Sequence, residues 1–243
     1  MSATALLLAL ATSWASATDC DTLAVHARGA GASTGTPPSW VAPGVPDPVW
    51  RLVEASAAAG DENDRRCLLR EAEADARQAL SEAPEDVGRH FALAVVLGMR
   101  ANTEGGRTKV LAASELHTEL RALLELDPDH AQARHMLGRL HAGVRRMNRV
   151  TRWLATNLLG GGALKEATWE EAERNLAFAA QAAPDVLDHH LQLANLYRDT
   201  DRPELALEAA RRAIALPSTT PMEEAVRAEA LALEASLLEQ VRR

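Results

Sequence analysis

The sequence predicts an all-α protein, an α-solenoid of about four helix pairs with a C-terminal capping helix, and three observations support this fold class. Alanine, leucine, glutamate and arginine, which favour helices, dominate the composition, whereas aromatic residues make up only 3%. Apolar residues recur at spacings of three and four along each segment, which is the period of an amphipathic helix. Prolines and small residues recur at a period of about 34 residues, as in stacked helical hairpins.

The length and the charge of the chain restrict its class further. With 243 residues the chain is long enough for one domain with a substantial core. Its formal net charge is -8. A general nucleic-acid binder has a strongly basic surface, so we expect no nucleic-acid partner.

Residues 1–17 resemble a secretory signal peptide. An apolar stretch runs from Ala5 to Ala11, and Ala15-Ser16-Ala17 provides the small residues that a signal peptidase needs. No Lys or Arg precedes the stretch, and it is too short to span a bilayer stably. We expect cleavage after Ala17 and export to the periplasm or the exterior. The alternative is a misassigned start or an apolar tail, which would leave the protein in the cytoplasm.

Residues 18–46 are rich in Pro and Gly and lack a helical period, so we expect an extended or disordered arm that includes Trp40. The chain has two cysteines, Cys20 in this arm and Cys67 in the first helix pair. In an oxidising compartment they would pair and hold the arm against that helix pair. The alternative is a buried free thiol at Cys67, which lies beside two leucines on a helix.

Residues 47–243 form the predicted helical repeat domain. Its first pair begins at Asp47-Pro48, where Asp caps the helix and Pro occupies the first turn, and ends near Glu82. The second pair begins at Val87. The glycines from Gly98 to Gly106 predict an interruption between its two helices.

The third pair begins at Ala131 and contains an arginine-rich insertion. Arg145, Arg146, Arg149 and Arg152 have no acidic residue nearby in the sequence. In a single helix, Arg145, Arg149 and Arg152 would share one face. This basic patch could meet an acidic partner, anionic lipid or nucleic-acid phosphate. The interpretation that we favour is that the arginines pair with acidic faces of neighbouring helices.

The fourth pair and the final helix have the clearest boundaries. Thr168 with Glu171, and Thr220 with Glu223, form the capping-box pattern at two helix starts. In the fourth pair, small residues at helical spacing allow two antiparallel helices to approach closely. The final helix is apolar on one side, as expected at the end of a stacked array.

Two sequence features connect the repeats to known proteins. Leu137-Gly138, and Leu193-Ala194 with Tyr197, match the first-helix signature of tetratricopeptide repeats. Four further features follow one another along the chain: the expanded second pair, Leu137-Gly138-Arg139-Leu140-His141, Arg152-Trp153 with Leu158-Leu159-Gly160, and Thr168-Trp-Glu-Glu-Ala. In this order they resemble the regulator of microtubule dynamics protein family. The resemblance covers most of the chain and implies a non-enzymatic tetratricopeptide scaffold, here an exported, bacterial-type member. From this resemblance we infer the fold and the mode of binding, but not an association with microtubules.

Arrays of this kind bind extended peptides along the concave surface made by the first helix of each pair. We therefore predict a peptide-binding groove made by Phe91, Val95, Gln132, His135, Arg139, Asp188, Leu191, Asn195 and Arg198. Arg139, Asn195 and Arg198 would hold a carboxylate or a peptide backbone. The alternative is that these are ordinary core or solvated positions.

The sequence predicts no catalytic residue, cofactor or metal site. It lacks the H-E-x-x-H, P-loop and G-x-G-x-x-G motifs. His189 and His190 project about 100° apart on a helix, and the six-residue gap between His135 and His141 does not place them on one face.

The predicted partner is therefore a protein or a peptide. One alternative is a peripheral membrane- or cytoskeleton-associated protein that acts through the Arg145–Arg152 helix, with Trp153 and Leu154. Another is a self-associating structural subunit.

Overall fold

The computed structural model describes residues 20–29 and 47–241, and within these ranges every regular element is helical. The α-helices are α1 (Cys20–Gly29), α2 (Asp47–Ala58), α3 (Glu62–Glu82), α4 (Val87–Thr103), α5 (Gly106–Leu126), α6 (Ala131–Arg146), α7 (Arg149–Asn157), α8 (Trp169–Ala182), α9 (Leu187–Asp199), α10 (Pro203–Ala215) and α11 (Pro221–Val241). A 3-10 helix spans Gly162–Glu166. The predicted all-α class is confirmed. The predicted signal peptide, residues 1–17, and Trp40 lie outside the described ranges.

The helices pack as hairpin pairs that stack side by side. The pairs are α2 with α3, α4 with α5, α6 with α8, and α9 with α10. The last helix, α11, packs on both α9 and α10. The predicted solenoid of four helix pairs with a capping helix is therefore confirmed.

The first helices of the third and fourth pairs, α6 and α9, lie next to each other and run in the same direction. Near the start of each helix, the ring of His135 lies 4.6 Å from the ring of His189. Near the end of each helix, the guanidinium of Arg146 donates to Asp199 at 2.5 Å. Since both ends of α6 meet the corresponding ends of α9, the two helices present one continuous surface.

A missing side chain sets the distance between α6 and α8. A Cβ atom on Gly138 would lie 2.7 Å from Cγ of Leu176 and 3.0 Å from the carbonyl oxygen of Ala172. All three residues are buried. A larger side chain at Gly138 would therefore force the two helices apart.

A shared geometry, repeated in three consecutive pairs, orients the start of each first helix. In each case the side chain six residues after the loop proline donates a hydrogen bond to the carbonyl of that proline. The donors and acceptors are His90 with Pro84 at 2.8 Å, Arg134 with Pro128 at 2.9 Å and His190 with Pro184 at 2.8 Å. These bonds satisfy carbonyls in the loops between pairs and connect each loop to the first helix that follows it.

The segment predicted to be an extended arm contains a helix, α1, so that prediction is wrong for residues 20–29. An isolated helix of ten residues is marginal in water. Here α1 packs against α2 and α3 and buries Ala24 and Ala27. Tertiary contacts therefore stabilise a helix that the local sequence does not predict.

Two kinds of contact hold α1 on α3. Cys20 forms a disulfide with Cys67, and their Cα atoms lie 5.7 Å apart. Further along α3, Arg28 donates to Asp75 at 2.8 Å and to Glu71 at 3.0 Å. The covalent link and the ion pairs together fix both ends of α1.

The second pair has a longer first helix than the sequence predicts. The predicted interruption from Gly98 to Gly106 starts too early, because α4 continues through Gly98 to Thr103, and the chain breaks only at Glu104 and Gly105 before α5 begins. A Cβ atom on Gly98 would lie 3.3 Å from Cε of Met136 on α6. This glycine therefore serves the close packing of α4 against α6 rather than a turn.

The arginine-rich insertion does not form one helix. The first helix of the pair ends at Arg146, and α7 begins at Arg149, with the side chain of Asn148 capping its first turn. The prediction that Arg145, Arg149 and Arg152 share one helical face is therefore wrong. The asparagine cap starts a second helix, so the arginines on either side of it belong to different elements.

Two histidines stack inside the core where α5 meets α6. The rings of His117 and His141 lie 5.3 Å apart at an interplanar angle of 15°, and both residues are 3% exposed. Neither ring nitrogen of His141 has a hydrogen-bond partner among the described residues. Burial, together with the smaller effect of the neighbouring His117, lowers the pKa of His141 to about 4. This core is therefore built for a neutral imidazole.

The contact at Gly138 gives a direct test of the α6–α8 packing. Gly138→Ala should destabilise the protein by about 1–3 kcal/mol, because the new methyl group meets a backbone oxygen that cannot move away easily. Gly143→Ala is the control on the same helix, since a Cβ atom there has no neighbour within 4 Å. The control should be neutral or stabilise by up to about 1 kcal/mol. Urea unfolding of both variants measures the difference, and equal stability would contradict the packing.

The buried histidine pair predicts a pH dependence. Because the pKa of His141 falls from 6.5 to about 4 in the folded protein, the unfolded chain binds more protons in that interval. The free energy of unfolding should therefore be highest above pH 6.5 and decrease as the pH falls toward 4. His141→Leu should reduce this slope by about 1 kcal/mol per pH unit in urea unfolding. His26→Leu, at an exposed position of α1, should keep the wild-type slope. A wild-type slope in His141→Leu would contradict the assignment.

Candidate peptide-binding surface

The nine residues predicted to line a groove lie on α4, α6 and α9. The predictions for Phe91 and Leu191 are wrong, because Phe91 is only 1% exposed and Leu191 is fully buried. Val95 is half-buried and packs against the same core as Phe91. The first helices are packed so closely that their large apolar residues face neighbouring helices. The accessible surface that remains is polar.

Asp188, on the first turn of α9, is the centre of a polar cluster between α6 and α9. Its Oδ2 atom lies 3.1 Å from Nε2 of His135 and accepts a hydrogen bond from Arg139 at 3.4 Å. Its Oδ1 atom accepts a hydrogen bond from the amide of Gln192 at 2.9 Å. Three of the predicted residues, His135, Arg139 and Asp188, are thus brought together by the two parallel helices.

The electrostatics of this cluster favour an ionised Asp188. Burial raises the pKa of the Asp188 carboxyl, but the hydrogen bond and charge of His135, followed by Arg139 and Gln192, hold it well below its ordinary value. Burial lowers the pKa of the adjacent His189 to about 4, with His135 contributing to the effect. The cluster therefore presents a fixed carboxylate, and His189 remains a neutral core residue.

A second polar cluster lies at the other end of α6 and α9. Asp199 accepts hydrogen bonds from Arg146 at 2.5 Å and from Arg198 at 3.0 Å. Asn195 is buried, and its amide donates to Glu229 on α11 at 3.4 Å. The predicted role of Asn195 as a ligand contact is therefore wrong, because the capping helix occupies its hydrogen-bonding group.

The side chains that stay accessible on this surface are mainly cations and amides. The side chain of Arg139 is 48% exposed and that of Arg198 is 41% exposed. Gln132 and Gln192 are half-exposed on the same two helices. We call Gln132, Arg139, Asp188, Gln192 and Arg198 the first-helix surface.

Sequence reasoning missed Gln192 and the partner of Arg146 in this region. Gln192 lies four residues after Asp188 on α9, and this spacing is a signal for a side-chain hydrogen bond on one helix face. Arg146 bridges α6 to α9 through Asp199, but the two residues are 53 positions apart. No local pattern in the sequence indicates that contact.

The four arginines of the predicted basic patch have separate environments. Arg146 pairs with Asp199, and Arg152 donates to the carbonyls of Arg145 and Met147, where it closes the end of α6. Arg149, at the start of α7, is exposed. The patch is therefore not a single continuous basic face.

The two adjacent histidines of α9 hydrogen-bond to backbone carbonyls. His189 donates from Nδ1 to the carbonyl of Ala179 at 3.1 Å, and His190 donates from Nε2 to the carbonyl of Pro184. Within residues 20–29 and 47–241, no group of three His, Cys, Asp or Glu side chains is placed to hold a metal ion. In the same ranges, no helix has the length and apolar character needed to cross a membrane.

Two solved structures show overall likeness to this architecture. The crystal structure of MamA is 15% identical at a TM-score of 0.45, over 76% of this chain and 96% of that chain. TTC0263, a thermophilic TPR protein in Thermus thermophilus, is 17% identical at a TM-score of 0.47, over 76% of this chain and 90% of that chain. Since both TM-scores are below 0.5, the family assignment depends on sequence. No curated protein matches the chain at the level of sequence.

A protein-family model gives that assignment. The model described as Regulator of microtubule dynamics protein 1-3 matches residues 44–238. The match begins just before α2 and ends within α11, so it includes the four helix pairs and the α7 insertion and leaves α1 outside. The resemblance expected from the arginine- and tryptophan-containing insertion is thus confirmed at the level of the family. The chain belongs to the regulator of microtubule dynamics protein 1–3 family.

Proposed function

We propose that the protein is a non-enzymatic adaptor that holds an extended peptide or protein segment along the first-helix surface. The observation that supports this most strongly is the Asp188 cluster, which fixes exposed donors and acceptors on two parallel helices. Tetratricopeptide-like arrays present their first helices on the concave side, where such segments bind.

The proposed mechanism is recognition by a pre-organised polar surface. An extended peptide has an unpaired N–H and C=O group at each residue, and side-chain amides such as those of Gln132 and Gln192 offer both a donor and an acceptor. The guanidinium groups of Arg139 and Arg198 supply charge-assisted hydrogen bonds to carboxylates of the segment. Because helix packing already holds these groups, less conformational entropy is lost on binding.

The burial of Phe91 and Leu191 makes the proposed recognition polar rather than apolar. Polar, partly exposed contacts are screened by salt, with a Debye length of about 10 Å at 0.1 M ionic strength. The proposed complexes are therefore sensitive to salt.

A matched pair of double variants tests the proposal. Arg139→Ala with Arg198→Ala removes the two exposed guanidinium groups of the first-helix surface. Binding of a partner captured from native extract should weaken at least about tenfold, because each charge-assisted hydrogen bond contributes about 1.5–3 kcal/mol. The control is Arg174→Ala with Arg212→Ala, on the second helices α8 and α10, where the side chains are 62% and 64% exposed.

Both double variants lose the same charge, so net charge does not explain a difference between them. Affinity chromatography followed by mass spectrometry identifies the partners, and titration of one partner gives the dissociation constants. Equal losses in the two double variants, or no loss in either, would contradict the proposed surface.

We also propose that the protein is exported. The pairing of Cys20 with Cys67 supports this location, since disulfides persist in oxidising compartments. Intact-mass analysis of the natively expressed protein should find a chain that begins at Thr18 and lacks the two thiol hydrogens. A full-length chain with two free thiols in the cytoplasmic fraction would refute the proposal.

A further inference from the structure

The short helix α7 has its apolar and polar sides reversed relative to an ordinary surface helix. Its buried residues are Ala155 and Thr156, which are small or polar. Its large apolar residues point away from the protein, with exposures of 70% for Val150, 57% for Trp153, 39% for Leu154 and 60% for the C-cap residue Leu158. Spacings of three and four residues place these four side chains on one face. We call this set the α7 outer face.

The helix is held in this orientation by its neighbours. Arg152 donates to the carbonyls of Arg145 and Met147 at 3.3 and 3.1 Å, which ties the start of α7 to the end of α6. After the helix, Gly160 adopts a φ of +91°, and the Gly161 N–H donates to the Ala155 carbonyl at 3.0 Å. The outer face is therefore presented by a fixed element.

The sequence segment that contains α7 is basic, although the whole chain carries a formal charge of -8. No acidic residue occurs between Asp129 and Glu166, a segment that contains seven Lys and Arg residues. Arg149 at the start of α7, and Lys165 in the 3-10 helix that packs on it, are both exposed. An apolar face beside exposed cations is complementary to a surface in which a negatively charged outer layer covers an apolar inner layer.

The size and shape of the α7 outer face disfavour a second copy as its occupant. A stable protein interface buries about 800 Å² per partner and involves about 20–30 residues on each side. Four side chains on one short, protruding helix are far fewer. A bilayer interface needs no matching groove, and tryptophan side chains favour the headgroup level of membranes.

We propose that the α7 outer face docks on an anionic phospholipid surface. Val150, Trp153, Leu154 and Leu158 enter the boundary between headgroups and acyl chains, and Arg149 and Lys165 contact lipid phosphates. The helix lies in the plane of the membrane and does not cross it. This docking is independent of the first-helix surface, which is formed by α6 and α9.

Vesicle flotation of the full chain tests the docking. The probes are phosphatidylcholine vesicles with and without phosphatidylglycerol. The wild-type protein should float with the anionic vesicles, and Trp153→Ser with Leu158→Ser should bind at least tenfold more weakly. Met222→Ser with Leu231→Ser is the matched control, since it changes two exposed apolar residues of α11. All four positions are exposed, so thermal melting of both double variants should match the wild type.

Single variants test the role of the Arg149 charge and the insertion of the Trp153 side chain into the membrane. Arg149→Glu should weaken binding to the anionic vesicles, whereas Arg174→Glu on α8 should not. Trp153→Phe should still bind but lose the blue shift of tryptophan fluorescence that the wild type shows on binding.

Three results would overturn the proposal. One is a wild-type protein that does not float with anionic vesicles, and another is equal flotation of the wild type and the Trp153→Ser, Leu158→Ser variant. The third is a wild-type dimer in light scattering that this variant converts to a monomer, which would identify a second copy as the occupant.

Discussion

The close approach of α6 and α8 at Gly138 is the constraint on which the rest of the structure depends. Because Gly138 has no Cβ atom, α6 lies directly on Ala172 and Leu176 of α8, although α7 and the 3-10 helix separate the two in sequence. The insertion is consequently displaced from the stack, where it packs by its small residues and exposes its large ones. A neighbouring face of α6, which carries His135, Arg139 and Arg146, meets α9. Both candidate binding surfaces thus follow from one tightly packed helix pair.

The polar cluster at Asp188 connects this packing to the proposed function. A partly buried carboxylate costs free energy unless charged and hydrogen-bonding groups surround it, and His135, Arg139 and Gln192 provide them here. Such a network contributes more to the relative position of two helices than to net stability. The same contacts that fix α6 against α9 leave the guanidinium of Arg139 half-exposed. A side chain held by the fold on one side and open to solvent on the other is suited to bind a ligand.

The sequence predicts the local features of this protein better than its long-range ones. Thr168 and Thr220 cap α8 and α11 as expected, because a capping box depends only on residues within one helix turn. The pattern around Gly98 predicts a turn, since a glycine needed for contact with another helix looks the same in sequence as a glycine needed for a turn. Similarly, the hydrogen bond from Asn195 to Glu229 and the formation of α1 depend on contacts between residues far apart in the chain. The sequence therefore predicts most of the polar residues of the first-helix surface, but not the burial of Phe91, Leu191 and Asn195.

Hydrogen–deuterium exchange of the protein, alone and bound to a captured partner, tests the central claim most directly. If an extended segment binds along the first-helix surface, amides of α6 and α9 should gain protection, and those of α8 and α10 should not. Peptides that contain Arg139 and Arg198 should show the largest change. Protection confined to the second helices, or to α7, would contradict the assignment of the binding surface to α6 and α9.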